Sequence, residues 1–311
     1  MRTLLWMQTG ACSGDTMALL CAAQPSLEQL LRQQGLQLLW HPSLSADTGF
    51  GQVLQQVLQG HADLDILCIE GSLMTGPNGS GLFDTWQGQA KIRIVRQLAE
   101  RARHVVAAGT CAAFGGVHAA PPNPTDCTGL QFLRETPGGL LRADWRSRSG
   151  LPVINLAGCP VHPETLTQTL SLLAAGNDLP LDGLNRPRAF FSSMVHQGCT
   201  RNEYHEYDVE DTAPGGRGCL FFNLGCQGPM TQAPCNTELW NGQSSKTRAG
   251  VPCFGCTVPG FPHDQNLFVT EKIGHVPRIL PLGVGRARYM AYKNLAKAAA
   301  PERVIRQDME P

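Results

Sequence analysis

The sequence lacks an excess of charge of either sign. Lysine and arginine together number 25, and aspartate and glutamate also number 25, so the formal net charge is zero. Proteins that bind nucleic acid or an anionic membrane usually carry an excess of basic residues. The charge balance therefore gives no support for nucleic acid or an anionic lipid surface as a partner.

Long apolar runs and targeting segments are also missing from the sequence. No apolar run reaches the roughly 18 residues that a membrane-spanning helix needs. Residues 1–10 have neither the charged start nor the long apolar stretch of a signal peptide, and no twin-arginine pair precedes the first predicted strand. We therefore expect a chain without its own membrane span, located in the cytoplasm unless a partner carries it out.

Cysteine, in contrast, is abundant, with 12 residues in a chain of 311. A reducing compartment disfavours disulfides, so metal or redox use gains weight over a disulfide framework. Any single thiol could instead be a small buried hydrophobic residue. The case for a metal site therefore depends on how the cysteines are grouped.

The first half of the chain alternates short apolar runs with helical patterns. The runs predict strands at residues 3–7, 37–40, 64–69, 104–108 and 152–156. Between them, helices are predicted in "PSLEQLLRQQG", with Ser26 as the N-cap, in "FGQVLQQVLQG" and in "QGQAKIRIVRQLAERAR". Such alternation predicts an α/β fold with a parallel sheet covered by helices on both faces, and ligands bind at the carboxyl ends of its strands.

Three cysteines and one glutamate follow the predicted strands. The strand ends continue into "TGACSGD", "EGSLMTG", "GTCAAFGG" and "AGCPVHP", which contain Cys12, Glu70, Cys111 and Cys159. Three thiolates with one further ligand suit an iron-sulfur cluster or a tetrahedral zinc ion. Glycine-rich loops of this kind also bind nucleotides, but the sequence has neither a GxGxxG motif nor a Walker lysine.

Asp15 has two interpretations on sequence alone. It stands three residues after Cys12, where a second cysteine would complete a CxxC motif. Aspartate is also a good N-cap for a helix that begins near Thr16. Glu70, which follows the third predicted strand, is either a cap or a hydrogen-bond and proton support at the same edge of the sheet.

Regular periodicity fades after "NDLPLDGLNRPR", at residues 177–188, and cysteine density rises. Three local groups follow. They are "HQGCTR" with His196 and Cys199, "CLFFNLGCQGP" with Cys219 and Cys226, and "CNTELWNGQSSKTRAGVPCFGC" with Cys235, Cys253 and Cys256. Zinc is an alternative occupant, although only Cys253 and Cys256 form a CxxC pair.

Read together and in this order, six motifs resemble the small subunit of nickel-iron hydrogenases across nearly the whole chain. They are "GTCAAFGG", "GCPVHP", "HQGCTR", "CLFFNLGCQGP", "WN" and "PCFGC". The resemblance implies a flavodoxin-like, doubly wound parallel sheet over residues 1–180 that carries a proximal cluster. A smaller, irregular domain over residues 181–311 would carry a medial and a distal cluster. The nickel-iron centre would lie in a separate large subunit.

The resemblance assigns ligands residue by residue. A proximal 4Fe-4S cluster would take Cys12, Asp15, Cys111 and Cys159. A distal 4Fe-4S cluster would take His196, Cys199, Cys219 and Cys226. The medial cluster would take Cys235, Cys253 and Cys256, which favours 3Fe-4S and leaves 4Fe-4S open if another ligand completes it. Three thiols outside these sets are expected to be buried or incidental, namely Cys21, Cys68 and Cys127.

The chain departs from the family pattern at several positions. The family usually has cysteine in place of Asp15, and three cysteines with one aspartate resemble the actinobacterial-type subgroup, noted for working in oxygen. Around Ser245 and Lys246, many members have proline and others cysteine, and this chain has neither. Gly14 and Gly116 stand where some oxygen-tolerant members have extra cysteines, so a six-cysteine proximal cluster is not expected.

The resemblance implies an oxidoreductase in which the partner oxidises hydrogen and this chain transfers the electrons. The acceptor would be a protein or a quinone-linked carrier, and a dimer of heterodimers is compatible with the family. Two other functions stay open at this point. One is a regulatory hydrogenase that senses hydrogen, and the other is a structural zinc protein without a redox role.

Overall fold

A five-stranded parallel sheet is the centre of the first half of the chain, in a computed structural model that describes residues 2–46, 49–264 and 267–305. The strands are β1 (Arg2–Gln8), β2 (Leu36–Trp40), β3 (Ile66–Glu70), β4 (His104–Ala108) and β5 (Ile154–Leu156). They lie in the order β5-β4-β3-β1-β2, and all pairs are parallel. This is the flavodoxin-like order, so the predicted fold class is confirmed.

The central strands are buried on both faces. Every residue of β3 and β4 is buried, as expected for parallel strands that helices cover on both sides. The helices of this half are α1 (Gly14–Leu20), α2 (Leu27–Gln33), α3 (Gly49–Leu58), α4 (Lys91–Arg101), α5 (Gly109–Phe114) and α6 (Pro163–Ala175).

The predicted helices agree with the structure, with differences at their ends. Ser26 caps α2 through a capping box with Gln29, as predicted. The helix α4 begins later than predicted because Thr85–Trp86 pairs with Gln89–Ala90 in a hairpin. The sequence patterns did not predict α5 and α6.

The described chain separates into two compact units. The first comprises the residues up to Phe190 together with Thr257–Pro262, and the second comprises Phe191–Cys256 and the described residues from His263 onward. The predicted boundary after residue 180 falls shortly before this division. The following residues still belong to the first unit because Asn155 on β5 hydrogen-bonds to the backbone of Leu184 and Asn185.

The second unit has little regular structure. Its helices are α7 (Arg188–Phe191), which begins in the first unit, α8 (Asn202–Glu206), α9 (Arg286–Ala298) and α10 (Glu302–Ile305). Its core combines apolar side chains such as Leu220 and Phe222 with three buried cysteines, Cys219, Cys226 and Cys253. Among the helices in the described residues, none has the length and apolarity needed to cross a bilayer.

Candidate metal centres

The loops at the carboxyl ends of the sheet bring the four predicted proximal residues together. Cys12 and Asp15 follow β1, Cys111 lies in α5 directly after β4, and Cys159 follows β5. The pKa of the Cys111 thiol is raised to about 12, mainly by burial, and the nearby Cys159, Asp15 and Cys12 raise it further. These acidic groups therefore lie close enough to repel one another when ionised, and a bound cation would relieve that repulsion.

Asp15 does not fill the N-cap position of α1. The N-cap residue is Ser13, in the left-handed conformation with φ of 64°, and Asp15 lies inside the first turn. The interpretation of Asp15 as the helix cap is therefore wrong. Its carboxylate is buried, and Oδ1 accepts a hydrogen bond of 2.7 Å from the backbone N–H of Val161. Burial is the main reason that the pKa of Asp15 is raised to about 7.

Two glycines make room for the Asp15 carboxylate and the Cys111 thiol. Gly109 has φ of +83°, and a Cβ at that position would lie 2.6 Å from Cγ of Asp15. Gly116 has φ of +53°, and a Cβ there would lie 2.7 Å from Sγ of Cys111. Both positions therefore need glycine, for the backbone conformation and for the close approach. Local sequence patterns do not connect Gly109 with Asp15.

Glu70 is the residue that holds the start of α1. Its Oε1 accepts from the backbone N–H groups of Asp15 and Thr16, at 3.0 and 3.1 Å. Its Oε2 accepts from the indole of Trp6 at 3.0 Å, from the amide of Gln8 at 2.9 Å, and from the Thr16 hydroxyl. The carboxylate is 1% exposed and has five donors around it. Both sequence alternatives for Glu70, capping and hydrogen-bond support, describe parts of this arrangement.

The four predicted distal residues line one small pocket in the second unit. This pocket is bounded by His196, Cys199, Cys219 and Cys226, together with Arg201, Thr247 and neighbouring apolar side chains. A tight turn joins the first two ligands, because the Cys199 N–H donates to the His196 carbonyl at 3.1 Å. The sequence thus places one imidazole and three thiols around a common space.

Backbone N–H groups point at the sulfurs around this pocket. Arg201 donates to Sγ of Cys199 at 3.4 Å, Phe221 donates to Cys219 at 3.4 Å, and Cys253 donates to Cys226 at 3.3 Å. Such bonds stabilise a thiolate over a thiol. Burial raises the pKa of Cys219 and Cys226, while the Arg201 guanidinium lowers both. The surroundings thus favour anionic ligands once a metal offsets the cost of burial.

The three predicted medial residues also lie together in the second unit. The pKa of Cys253 is raised well above its usual value by burial, and Cys226, Cys256 and Cys235 raise it further. Gly255, inside the CxxC segment, donates to Sγ of Cys253 at 3.4 Å. Lys246 is the nearby cation, because its charge lowers the pKa of Cys235. Among the three remaining cysteines, Cys68 and Cys127 are buried and Cys21 is exposed.

The spacing of these side chains differs from that of a single-ion site. Within residues 2–46, 49–264 and 267–305, no three His, Cys, Asp or Glu side chains converge closely enough to hold one metal ion. A tetrahedral zinc needs all its ligands within about 2.0–2.3 Å of one point. An iron-sulfur cluster is bound through several iron atoms, so its thiolates surround a larger volume. Soft thiolate ligands suit both kinds of site.

Comparisons with family models give two matches, one in each half of the chain. Residues 12–173 match the model described as NADH ubiquinone oxidoreductase, 20 Kd subunit. Residues 191–269 match the model for the C-terminal part of the NiFe/NiFeSe hydrogenase small subunit. The two matches together cover both sets of cysteine-rich loops.

Similar proteins include hydrogenase small subunits of archaea and bacteria. The F420 non-reducing hydrogenase II small subunit of Methanosarcina mazei is 32% identical, covering 83% of this chain and 73% of that protein. The periplasmic [NiFe] hydrogenase small subunit 1 of Nitratidesulfovibrio vulgaris is 32% identical, covering 86% of this chain and 81% of that protein.

Solved structures agree with these sequence matches. The actinobacterial-type NiFe-hydrogenase from Ralstonia eutropha H16 gives a TM-score of 0.75 at 31% identity, covering 96% of this chain and 89% of that one. The Ni-Fe-Se hydrogenase from Desulfomicrobium baculatum gives 0.74 at 26% identity, covering 86% of this chain and 99% of that one. On these grounds the chain belongs to the small-subunit family of nickel-iron hydrogenases.

Proposed function

We propose that this chain carries electrons away from a nickel-iron site in a partner large subunit that oxidises hydrogen. As a member of its family, the chain is the electron-transferring small subunit of an oxidoreductase. The observation that carries the proposal is the pocket lined by His196, Cys199, Cys219 and Cys226. A mixed imidazole and thiolate shell of this kind suits a redox cluster, because ligand type and charge set its potential.

Three clusters form part of the proposal. The proximal 4Fe-4S cluster takes three cysteines and one aspartate, the distal 4Fe-4S cluster takes one histidine and three cysteines, and the medial cluster takes three cysteines as 3Fe-4S. When bound, they supply one-electron transfer from the nickel-iron site through the proximal, medial and distal positions to an acceptor. The chain's own residues hold the clusters, exclude water from the buried thiolates and donate hydrogen bonds to sulfur.

Asp15 is proposed as the fourth proximal ligand. Its support is electrostatic, because the carboxylate lies close enough to Cys111 to raise the pKa of that thiol. Oδ1 is bonded to the Val161 N–H, which leaves Oδ2 as the oxygen for iron. A carboxylate oxygen is a harder ligand than thiolate, so this site should have a potential different from that of a four-cysteine site.

The finer assignments follow from the same residues. Asp15 in place of a second proximal cysteine favours a hydrogen-oxidising enzyme of the actinobacterial type over a regulatory hydrogen sensor. The match to the Ralstonia eutropha structure supports that subgroup and, with it, turnover in oxygen. A cytoplasmic location is part of the proposal. An acceptor protein or a quinone-linked carrier and a dimer of heterodimers complete the proposal.

Isolation of the complex under anaerobic conditions tests the function. We expect a brown complex in which this chain co-purifies with a nickel-containing subunit, and hydrogen uptake with and without oxygen measures turnover. A colourless chain with stoichiometric zinc and no iron would contradict the proposal. So would a fully active preparation of this chain alone.

Three variants test the ligand role of Asp15. Asp15→Asn keeps the size of the side chain and its bond to Val161 but removes the anionic oxygen, so we expect the proximal cluster to lose one iron, as in Asp15→Ala. Asp15→Cys should keep four irons with a changed potential. Iron analysis measures the number of irons, and electron paramagnetic resonance (EPR) of the proximal signal follows the change in the cluster. An unaltered proximal signal in Asp15→Asn would show that the carboxylate has only a structural role.

A further inference from the structure

His205 lies beside the distal ligands and was not singled out by the sequence. It belongs to α8, and its Nδ1 is 3.5 Å from Sγ of Cys219. Together with His196 it lines a cleft of about 590 Å³ in the second unit. The segment "NEYHEY" has no metal-ligand spacing, so the sequence offers only a histidine near "HQGCTR" as a signal.

The His205 ring is held on several sides. Its centroid is 4.3 Å from that of His196, with the rings at 65°, so the two imidazoles meet edge to face. Phe222 stacks on the same ring at 5.4 Å and 19°, and Phe221 lies 5.3 Å away. Aromatic contacts of this kind favour one ring orientation. The side chain therefore touches two distal ligands at once, one through its nitrogen and one through its ring.

The path of the chain explains this placement. The helix α8 starts directly after the Cys199 turn, where the Asn202 N–H donates to the Cys199 carbonyl at 3.0 Å. After the helix, Cys219 donates from its backbone to the Val209 carbonyl at 2.9 Å, which joins the segment behind α8 to the third distal ligand. His205 thus stands on the link between two ligand-bearing loops.

The chemistry of His205 and Cys219 decides which of the two donates the hydrogen bond. A neutral imidazole has one N–H, and a cluster-bound thiolate can only accept. A hydrogen bond between the two therefore requires the proton on Nδ1.

We propose that His205 is a positioning residue of the distal site, which donates a hydrogen bond from Nδ1 to the Cys219 thiolate. This inference rests on the proposed function, since it needs a cluster at this site. Hydrogen bonds to cluster sulfurs favour the more negative, reduced state and so raise the potential. His205 thereby sets how readily the distal position accepts an electron.

Two substitutions separate the donor from the ring. His205→Phe keeps an aromatic ring against His196 and Phe222 but removes the N–H, so the distal potential should fall. His205→Asn loses the ring but places an amide N–H near the former Nδ1 position, so the potential should stay close to the wild-type value. The exposed His61→Phe serves as the control and should change nothing. All are measured on the purified complex by redox titration followed by EPR.

The outcomes distinguish this inference from the proposed function. If the distal signal persists, two results would overturn the donor role. One is an unchanged distal potential in His205→Phe, and the other is a distal potential that falls as far in His205→Asn as in His205→Phe. If His205→Phe fails to fold, His205→Gln replaces it, because its amide reaches the Nε2 position rather than Nδ1 and the same fall is expected. Absence of a distal signal from the wild-type complex would instead refute the proposed function.

Discussion

The Glu70→Gln substitution tests whether a buried carboxylate holds the start of α1. Glutamine has nearly the same shape, but one acceptor oxygen is replaced by an NH₂ group that only donates. In the wild-type chain both carboxylate oxygens accept, two bonds at Oε1 and three at Oε2. The substitution therefore brings donors face to face in a site that is 1% exposed.

The structure allows the cost to be worked out. In the least costly orientation, the amide oxygen keeps the two backbone N–H groups, while the Gln8 amide turns over and the Thr16 hydroxyl rotates to accept. The Trp6 indole can only donate, so it loses its acceptor, at about 1–3 kcal/mol. Loss of the charge at the two backbone bonds adds about 1 kcal/mol each. The total is about 3–5 kcal/mol.

Thermal unfolding of the assembled complex, followed by circular dichroism, measures this loss. At about 2–4 °C per kcal/mol for a unit of this size, the first unit should melt about 6–20 °C lower. Glu28→Gln is the matched control, because Glu28 forms an exposed pair with Arg32 on α2 and should cost less than about 0.5 kcal/mol. We also expect a weakened proximal EPR signal in Glu70→Gln, because α1 carries Asp15.

A double mutant gives the result that would refute the reasoning. Trp6→Phe removes the indole N–H, so the double mutant has no orphaned donor at that position. The two substitutions should then cost less together than the sum of their separate effects, by about 1–3 kcal/mol. Additive costs would mean that the Trp6–Glu70 bond does not contribute to stability. The account of Glu70 as the acceptor for these buried donors would then be wrong.

Three further substitutions test other parts of the chain. Gly109→Ala should lose the proximal EPR signal, whereas Gly60→Ala, which has a similar φ of +77° and open space, should keep it. Lys293→Met should lower the free energy of unfolding by about 3 kcal/mol in urea titrations, because Asp208 is buried beside that ammonium at 3.0 Å. The deficit should shrink as the pH falls, since burial raises the pKa of Asp208 and protonation removes a charge that is then left with the longer ion pair to Lys297, at 3.8 Å. Burial lowers the pKa of His104 from 6.5 to about 4. As the pH is lowered from 6.5 to about 4, the unfolded chain binds a proton before the folded chain does, so the free energy of unfolding should decrease. His104→Gln should flatten that slope, and a wild-type slope retained in this variant would assign it to another group.

The sheet and the positions of its ligands could be predicted because both depend on local patterns. Short apolar runs separated by helical periodicity define β1 to β5, and parallel strands place their carboxyl ends at one edge. The helices α5 and α6 were not predicted from the sequence. The segment "GTCAAF" is short and begins with glycine, while "PETLTQTLSLLAA" has threonines that weaken an apolar stripe. Tertiary contacts stabilise both.

The errors and omissions at the sites come from contacts between distant residues. Asp15 resembles a helix cap when only its neighbours are considered, but Glu70, 55 residues away, bonds its backbone N–H. Likewise, the link between His205 and Cys219 depends on how α8 folds back, which no spacing rule encodes. The assignments of the iron ligands stay predictions, and their test is the spectroscopy of the complex.

The core of the second unit has a consequence for how the protein matures. Cys219, Cys226 and Cys253 belong to that core, together with side chains such as Phe222. Before cofactor insertion, the interior of this unit consists partly of thiols that repel one another once ionised. Metal binding and folding are coupled in such a unit. During iron starvation, cells would then accumulate a chain with an intact sheet and an open, protease-sensitive second unit, so cofactor supply would set how much of the protein survives to assemble.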